Sequence, residues 1–386
     1  MAEWQTVRLG EIVKTNQSTY SPKENWQFVN YLDTGNITMN KIDEIQYINT
    51  AKDKLPSRAR RKVKTNSIIY STVRPNQLHY GIIKEQPENF LVSTGFTVID
   101  VNMEKAVPDY IYYVLTQKEI TEHLQAIAEQ SVSAYPSLKP SDIENLEVLL
   151  PDIDTQKSIV TILSVIDKKI KQNTEINNNL EQQAQAIFKS WFIDFEPFSN
   201  RKPNDWSIST LGNVSIMGAG GDKPQNVSQI KTDLYEYPIY SNGLSDEGLY
   251  GFTDKPKISE ESVTVSARGT IGFVCLRHIP YVPIVRLVTL IPKTEIISAK
   301  YLYLWLKQLH ITGTGTTQQQ LTVPDFQKTE ILVPSQEIVT LFTATVEPIF
   351  EKIWANQNEN EKLSSLRDTL LPKLMSGELD VSDIEI

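Results

Sequence analysis

From position 159 onward, one stripe of the chain recurs at spacings of four and three. It comprises Ile159, Leu163, Ile166, Ile170, Asn173, Asn177, Leu180, Ala184, Ile187 and Trp191. This is the period of a helix that buries one face along a partner, with the apolar residues at the a and d positions of a coiled coil. The predicted helix follows Pro151 and would extend roughly 60 Å over about 40 residues. Asn173 and Asn177 interrupt the stripe near its middle. Asparagine there weakens a seam but can fix its register and choice of partner. A second, less regular stripe follows Pro334, with Ile338, Phe342, Thr345, Ile349, Asn356, Leu363, Leu366 and Leu370. Lys352 and Glu359 fall where this seam expects apolar residues, and Pro372 is expected to break or end the helix. Two such stripes predict helix pairing, either antiparallel within one chain or between chains.

Outside these helices the pattern shortens to strands and turns, and it occurs twice. Trp4, Leu9 and Gly10 return as Trp206, Leu211 and Gly212, 202 residues later. Residues 67–73 and 90–99 read as strands by their β-branched and aromatic content. A helix is expected to start at Pro108, with a counterpart from Ser298. Each is followed by a polar loop, at 129–133 and 312–320, and then by a run closing on Pro151 or Pro334. The matching order predicts a duplication of whole domains. The expected boundaries are 1–152 for the first domain, 153–198 for the central spacer helix, 199–334 for the second domain and 335–386 for the C-terminal helix and tail.

Composition adds few constraints. The 386 residues have room for two domains. No signal-peptide pattern opens the chain and no apolar run approaches the roughly 20 residues of a membrane span, so a cytoplasmic location without membrane contact is expected. The single cysteine, Cys275, precludes an internal disulfide and reads as a small buried side chain. The net charge of -9 argues mildly against nucleic acid, but residues 52–64 carry seven basic groups and one acid. The local footprint decides, not the total.

Catalytic chemistry finds little support. His79, His123, His278 and His310 have no metal-ligand spacing. Gly218-Ala-Gly-Gly lacks the lysine and spacing of a phosphate loop. Asp152 and Asp154 precede a helix, where capping explains them. DNA contact is better supported. Arg58, Arg60, Arg61, Lys62 and Lys64 can approach a phosphate backbone. Arg74 follows a strand and precedes Pro75, Asn76 and Gln77, a turn that can display side chains to base edges. Tyr240, Asn242, Arg268 and Thr270 occupy similar surroundings in the second half, and glycine after Arg268 permits unusual backbone angles.

Taken in order, these phrases resemble the specificity subunit of a type I restriction-modification enzyme along essentially the full length. The resemblance rests on the paired Trp…Leu-Gly openings, on Ser71-Thr-Val-Arg-Pro75, Tyr237-Pro-Ile-Tyr-Ser-Asn-Gly243 and Ser266-Ala-Arg-Gly-Thr-Ile-Gly272, and on the helical phrases at 187–195 and 366–377. It implies an α+β fold in which two pseudo-repeated target-recognition domains are separated by two long helices that pair as an intramolecular antiparallel coiled coil. It also implies a non-catalytic chain that binds bipartite double-stranded DNA and positions two modification (methyltransferase) subunits, with restriction subunits in the full complex. No cofactor is expected on this chain. S-adenosylmethionine, ATP and magnesium are expected on its partners. The alternative reading is a two-domain coiled-coil scaffold that binds peptide or carbohydrate.

Overall fold

The structure is a computed structural model that describes residues 4–131, 135–313 and 320–381. Residues 132–133 and 314–319 of the two polar loops, and 382–386 of the acidic tail, lie outside the described residues. The chain packs as two compact units, residues 1–172 with 359–386, and residues 173–358.

In the first unit, Gln5–Arg8 pairs antiparallel with Glu147–Leu150, so the segment that opens the domain is tied to the one that closes it. A four-stranded antiparallel sheet has the order Val13–Thr15, Phe96–Val101, Ile68–Ser71, Tyr80–Ile82. A second sheet has the order Gln46–Asn49, Phe28–Leu32, Phe90–Ser93, Ala59–Lys62, and its central pair is parallel. Ile68–Ser71 and Phe90–Ser93 are buried at every position, as expected for apolar runs covered on both faces. The strand expected across 90–99 is two strands. Gly95 turns the chain between them, and the 94–95 backbone bonds to neighbouring segments instead of continuing the ladder.

The second unit repeats this connectivity. Ser207–Thr210 pairs antiparallel with Glu330–Val333. Its four-stranded sheet runs Ser215–Ala219, Val288–Pro292, Ser262–Val265, Val274–Arg277, again antiparallel throughout. A three-stranded sheet runs Leu249–Thr253, Tyr237–Tyr240, Val282–Pro283, with the last pair parallel. The helices expected after these sheets are Pro108–Leu115 and Ala299–Gln308.

The repeated residues perform repeated tasks. The Leu9 amide donates to the Leu146 carbonyl at 2.8 Å, and the Leu211 amide to that of Thr329 at 2.9 Å. A Cβ on Gly10 would lie 3.2 Å from the Glu144 carbonyl oxygen, and one on Gly212 would lie 3.3 Å from that of Gln327. Both contacts are tighter than a side chain tolerates without displacing its neighbour. Tyr110 donates to the Leu149 carbonyl at 2.8 Å, and Tyr301 to that of Leu332 at 2.7 Å. Trp206 is buried against Phe192 and Phe198, while Trp4 covers Gly377 just beyond the second long helix. Each tryptophan thus seals one end of a helix onto its domain.

The two long helices are Ile153–Phe192 and Gln336–Met375. Asp152 caps the first, its carboxylate accepting from the Asp154 and Thr155 amides at 3.0 and 2.9 Å, which is the capping role expected of it. In each unit the helices lie antiparallel. In the first, Arg367 bonds Asp167 at 3.0 Å and Lys169 faces Glu359. In the second, the Asn356 amide donates to Asn177 Oδ1 at 2.8 Å, and Asn177 donates to the Ile353 carbonyl at 3.2 Å. Asn173 and Asn356 are almost fully buried. The asparagines therefore do occupy the seam.

The seam departs from the expected register at three places. Beyond Ala184 the buried residues are Phe188 and Phe192, while Ile187 and Trp191 only flank the core. In the second helix Val339, Phe342, Val346, Phe350 and Ile353 are buried, Thr345 and Leu366 are exposed, and Ile338 and Ile349 pack at the edge. An α-helix turns every 3.6 residues, so a strict 3.5-residue pattern drifts off the contact line. Lys352 is accordingly exposed beside the buried Ile353. Finally, the helix continues three residues past Pro372. Pro372 removes one backbone donor and its ring crowds the carbonyl four residues earlier, and the helix ends within the turn that follows it.

Candidate nucleic-acid interface

In the first unit the basic segment forms the edge strand Ala59–Lys62. Its five candidates do not share one environment. Lys62 pairs with Glu24, whose carboxyl that bond holds below its ordinary value, and lies 5.1 Å over the Trp26 ring. Lys64 is 3.6 Å from Asp100. Arg58 is exposed, whereas Arg60 and Arg61 are half-buried. Arg60 Nη1 and Arg61 Nε are buried without a hydrogen-bond partner among the described residues, and burial lowers the pKa of Arg61. Unused donors of a desolvated cation are a cost that a bound acceptor would remove.

Backbone bonds bring a second group to the same turn. The Thr94 amide donates to the Arg58 carbonyl and the Thr72 amide to that of Gly95, both at 2.8 Å. Residues 58 and 72–74 thus flank the 93–95 turn. Arg74 has φ 50 and precedes the one-turn 3-10 helix Pro75–Gln77. Its amide donates to Pro136 and its guanidinium lies 5.2 Å over the exposed Tyr135 ring. Arg74, Asn76 and Gln77 are all exposed. The Asn76 amide is fixed by Gln125 at 3.2 Å, which leaves its side chain to face outward.

In the second unit the candidates cluster more tightly and are more engaged. Asn242 donates to the Val285 carbonyl at 2.7 Å and accepts from the Ala267 amide at 2.7 Å. Thr270 donates to the Asn242 carbonyl at 3.1 Å. Three loops are therefore clipped together by one amide side chain. Arg268 is half-buried, next to Gly269 at φ 70. Tyr240 lies under the Arg277 guanidinium, 3.6 Å from its ring centroid, and burial raises its pKa.

Arg277 was not among the residues expected from the sequence. It is almost fully buried and donates to Thr264 Oγ1 at 3.0 Å, to the Glu247 carboxylate at 2.9 Å and to the Glu247 carbonyl at 2.7 Å. It holds Glu247 at φ 53 and with it the loop before Gly248. Tyr135, which supports Arg74 from 61 positions away in sequence, was missed as well. The signal available for Tyr135 was an aromatic residue inside a polar loop. Exposed Arg286, beside Val285 with φ 51, carried no signal.

Cys275 is buried and its thiol is pushed up to about 12 by that burial, in keeping with the structural reading. Among the described residues, no group of three or more His, Cys, Asp or Glu is placed to hold a metal, and no helix is long and apolar enough to cross a membrane.

Comparison with known proteins gives a consistent result. A family model described as the type I restriction modification DNA specificity domain matches residues 1–182 and again residues 203–364. The type I restriction enzyme HindI specificity subunit of Haemophilus influenzae is 29% identical, over 98% of this chain and 100% of the relative. The type I restriction enzyme MjaIX specificity subunit of Methanocaldococcus jannaschii is 27% identical, over 79% of this chain and 76% of the relative. The crystal structure of a type I restriction-modification system S subunit from M. genitalium superposes with a TM-score of 0.57 at 16% identity, covering 97% of this chain and 96% of that one. This last likeness speaks to the fold alone.

Proposed function

The chain belongs to the family of the type I restriction modification DNA specificity domain, and we propose that it reads a bipartite double-stranded DNA target, one half-site per β-rich domain. The domains are residues 1–152 and 199–334, and the central spacer helix within 153–198 and the C-terminal helix that opens the helix-and-tail segment 335–386 set the gap between the half-sites. One observation carries the reading. The fold is duplicated down to single hydrogen bonds, yet the loops on the two copies differ. A common frame with divergent loops suits two different sequences read by one chain.

Phosphate contact falls to Arg58, Arg60, Arg61, Lys62 and Lys64. Arg74, Asn76 and Gln77 are proposed to face base edges in the first half-site, since arginine and amide side chains match purine donor and acceptor patterns. In the second half-site Arg268 and Thr270 are proposed to meet the DNA, on a surface whose shape Asn242 and Tyr240 hold. The chain aligns the active sites of two modification subunits, and restriction subunits complete the assembly. S-adenosylmethionine, ATP and magnesium act on those partners, while this chain contributes selective binding. Its net charge of -9 is compatible with this role if partner subunits supply part of the phosphate clamp.

The test is single-molecule, modification-sensitive sequencing of DNA from cells that express this chain together with its modification subunit. A bipartite methylated-adenine motif that disappears without this chain is expected, and it would supply both half-sites and the gap. Absence of any motif despite verified assembly would overturn the reading.

A further inference from the structure

Next to the Arg74 turn stands a hairpin outside the proposed base-facing loop. Ile37 pairs with Ile42 and Thr38 with Lys41, leaving Met39 and Asn40 as a two-residue loop. Their φ values are 47 and 65. Such a turn requires positive φ at both positions and is normally built from Asn and Gly. Asn40 conforms. Met39 does not, because a long apolar side chain gains nothing from this backbone region. It is also 49% exposed, so core burial does not compensate.

The tip is held rigidly. The Met39 amide donates to the Leu78 carbonyl at 2.9 Å, the Asn40 amide to that of Tyr80 at 2.8 Å, and Asn40 Oδ1 accepts from the Ile82 amide at 2.9 Å. A Cβ on Gly81 would lie 2.7 Å from Asn40 Oδ1, so glycine there lets the hairpin seat. Leu78 directly follows the turn that presents Arg74, Asn76 and Gln77. A strained, exposed, apolar side chain is thus bolted to the exposed polar loop, with the exposed Lys41 beside it. Strain of this kind persists where surrounding bonds over-determine the backbone, and it concentrates at functional positions.

We propose that Met39 is a wedge that enters the first half-site and unstacks a base step beside the bases faced by the Arg74 turn. Methionine is among the side chains that proteins insert between base steps, kinking the duplex and bringing more protein surface onto it. Exposed Lys41 is suited to the phosphate flanking the opened step. The inference rests on the bipartite DNA reading and goes beyond it by assigning an apolar, shape-dependent contact.

The test uses the complex with the modification subunit and duplexes that carry the motif found by methylation sequencing. 2-Aminopurine is placed at successive positions of the first half-site. The adenine that is itself methylated is left out, because methyltransferases extrude their own target base. Wild type and M39L are expected to raise fluorescence at one step. M39N is expected to lose that signal and to weaken binding by about tenfold. Its unfolding midpoint should stay unchanged or rise by about 2 °C, because asparagine suits the turn. That opposition of binding and stability is what a merely structural methionine would not produce. If M39N keeps wild-type affinity and fluorescence while the motif is still methylated, the wedge is overturned and the bipartite reading stands. If M39N loses the modification subunit at unchanged DNA affinity, Met39 is a protein contact and the wedge is again overturned. If wild type yields no motif at all, both fall together.

Discussion

The two units share a strand order but hold their exposed loops by different means. In the first, the Arg74 turn is fixed through its own amides, residues 74 and 77 donating to the Pro136 and Arg74 carbonyls and residue 76 to Gln125 Oε1, and its polar side chains are left to face outward. In the second, side chains do the fixing. Asn242 clips three segments, Thr270 adds a bond, and buried Arg277 holds Glu247. The same polar residue type is therefore left exposed in one copy and consumed by the scaffold in the other. An arginine or asparagine in a turn-rich segment does not announce which role it has. The decision lies in whether main chain or side chain satisfies the local hydrogen bonds.

The strongest way to break this comparison is to exchange whole modules. Replacing residues 1–152 by the corresponding segment of a relative should change one half-site of the methylated motif completely and leave the other intact. Methylation sequencing of the chimera reads this directly, and changes in both halves would contradict modular reading. Next in size is the contrast between two arginines. R277A should destabilise the protein by about 3 kcal/mol, because it strips a buried cation and its hydrogen bonds from a strained turn. R74A should leave stability within about 0.5 kcal/mol yet weaken specific DNA binding by about 1–3 kcal/mol. Urea denaturation and a binding titration on the same preparations separate the two effects.

The asparagines give a smaller version of the same contrast. N242A removes two hydrogen bonds and should cost about 2 kcal/mol of stability, whereas N76A should be near neutral in denaturation. If N242A instead altered the second half-site without loss of stability, Asn242 would be a reader and the contrast with Asn76 would fall. The smallest expected effect comes from His278, which stacks on Trp354 at 4.1 Å. Burial, with Lys300 and Arg277 nearby, lowers its pKa to about 4. The native state therefore keeps the imidazole neutral while the unfolded chain protonates near its ordinary value of about 6.5. Its stabilising contribution is complete above that pH and is lost as pH falls toward 4. The residue is exposed apart from the ring face on Trp354, so the loss should be about 1 kcal/mol or less. The difference in unfolding free energy between wild type and H278Q, followed from pH 7 to pH 4, checks both sign and size.

The duplication and the pair of long helices were legible in the chain because they leave periodic marks. Trp4, Gly10, Trp206 and Gly212 recur because close packing at each domain opening admits few alternatives, and the helical stripes recur because burial follows the helical turn. The fine register of the seam was not legible. Phe188 rather than Ile187, and Ile353 rather than Lys352, face the core because the real helical period drifts against an ideal heptad. The division of candidate residues into engaged and free was also invisible. Asn242 meets Ala267 and Val285, Arg277 meets Glu247, and Arg74 meets Tyr135, all across separations that no local pattern encodes. Periodicity records which face is buried. Only the folded chain brings distant donors and acceptors within 3 Å, and that proximity decides whether a polar side chain is consumed by the scaffold or left for a ligand.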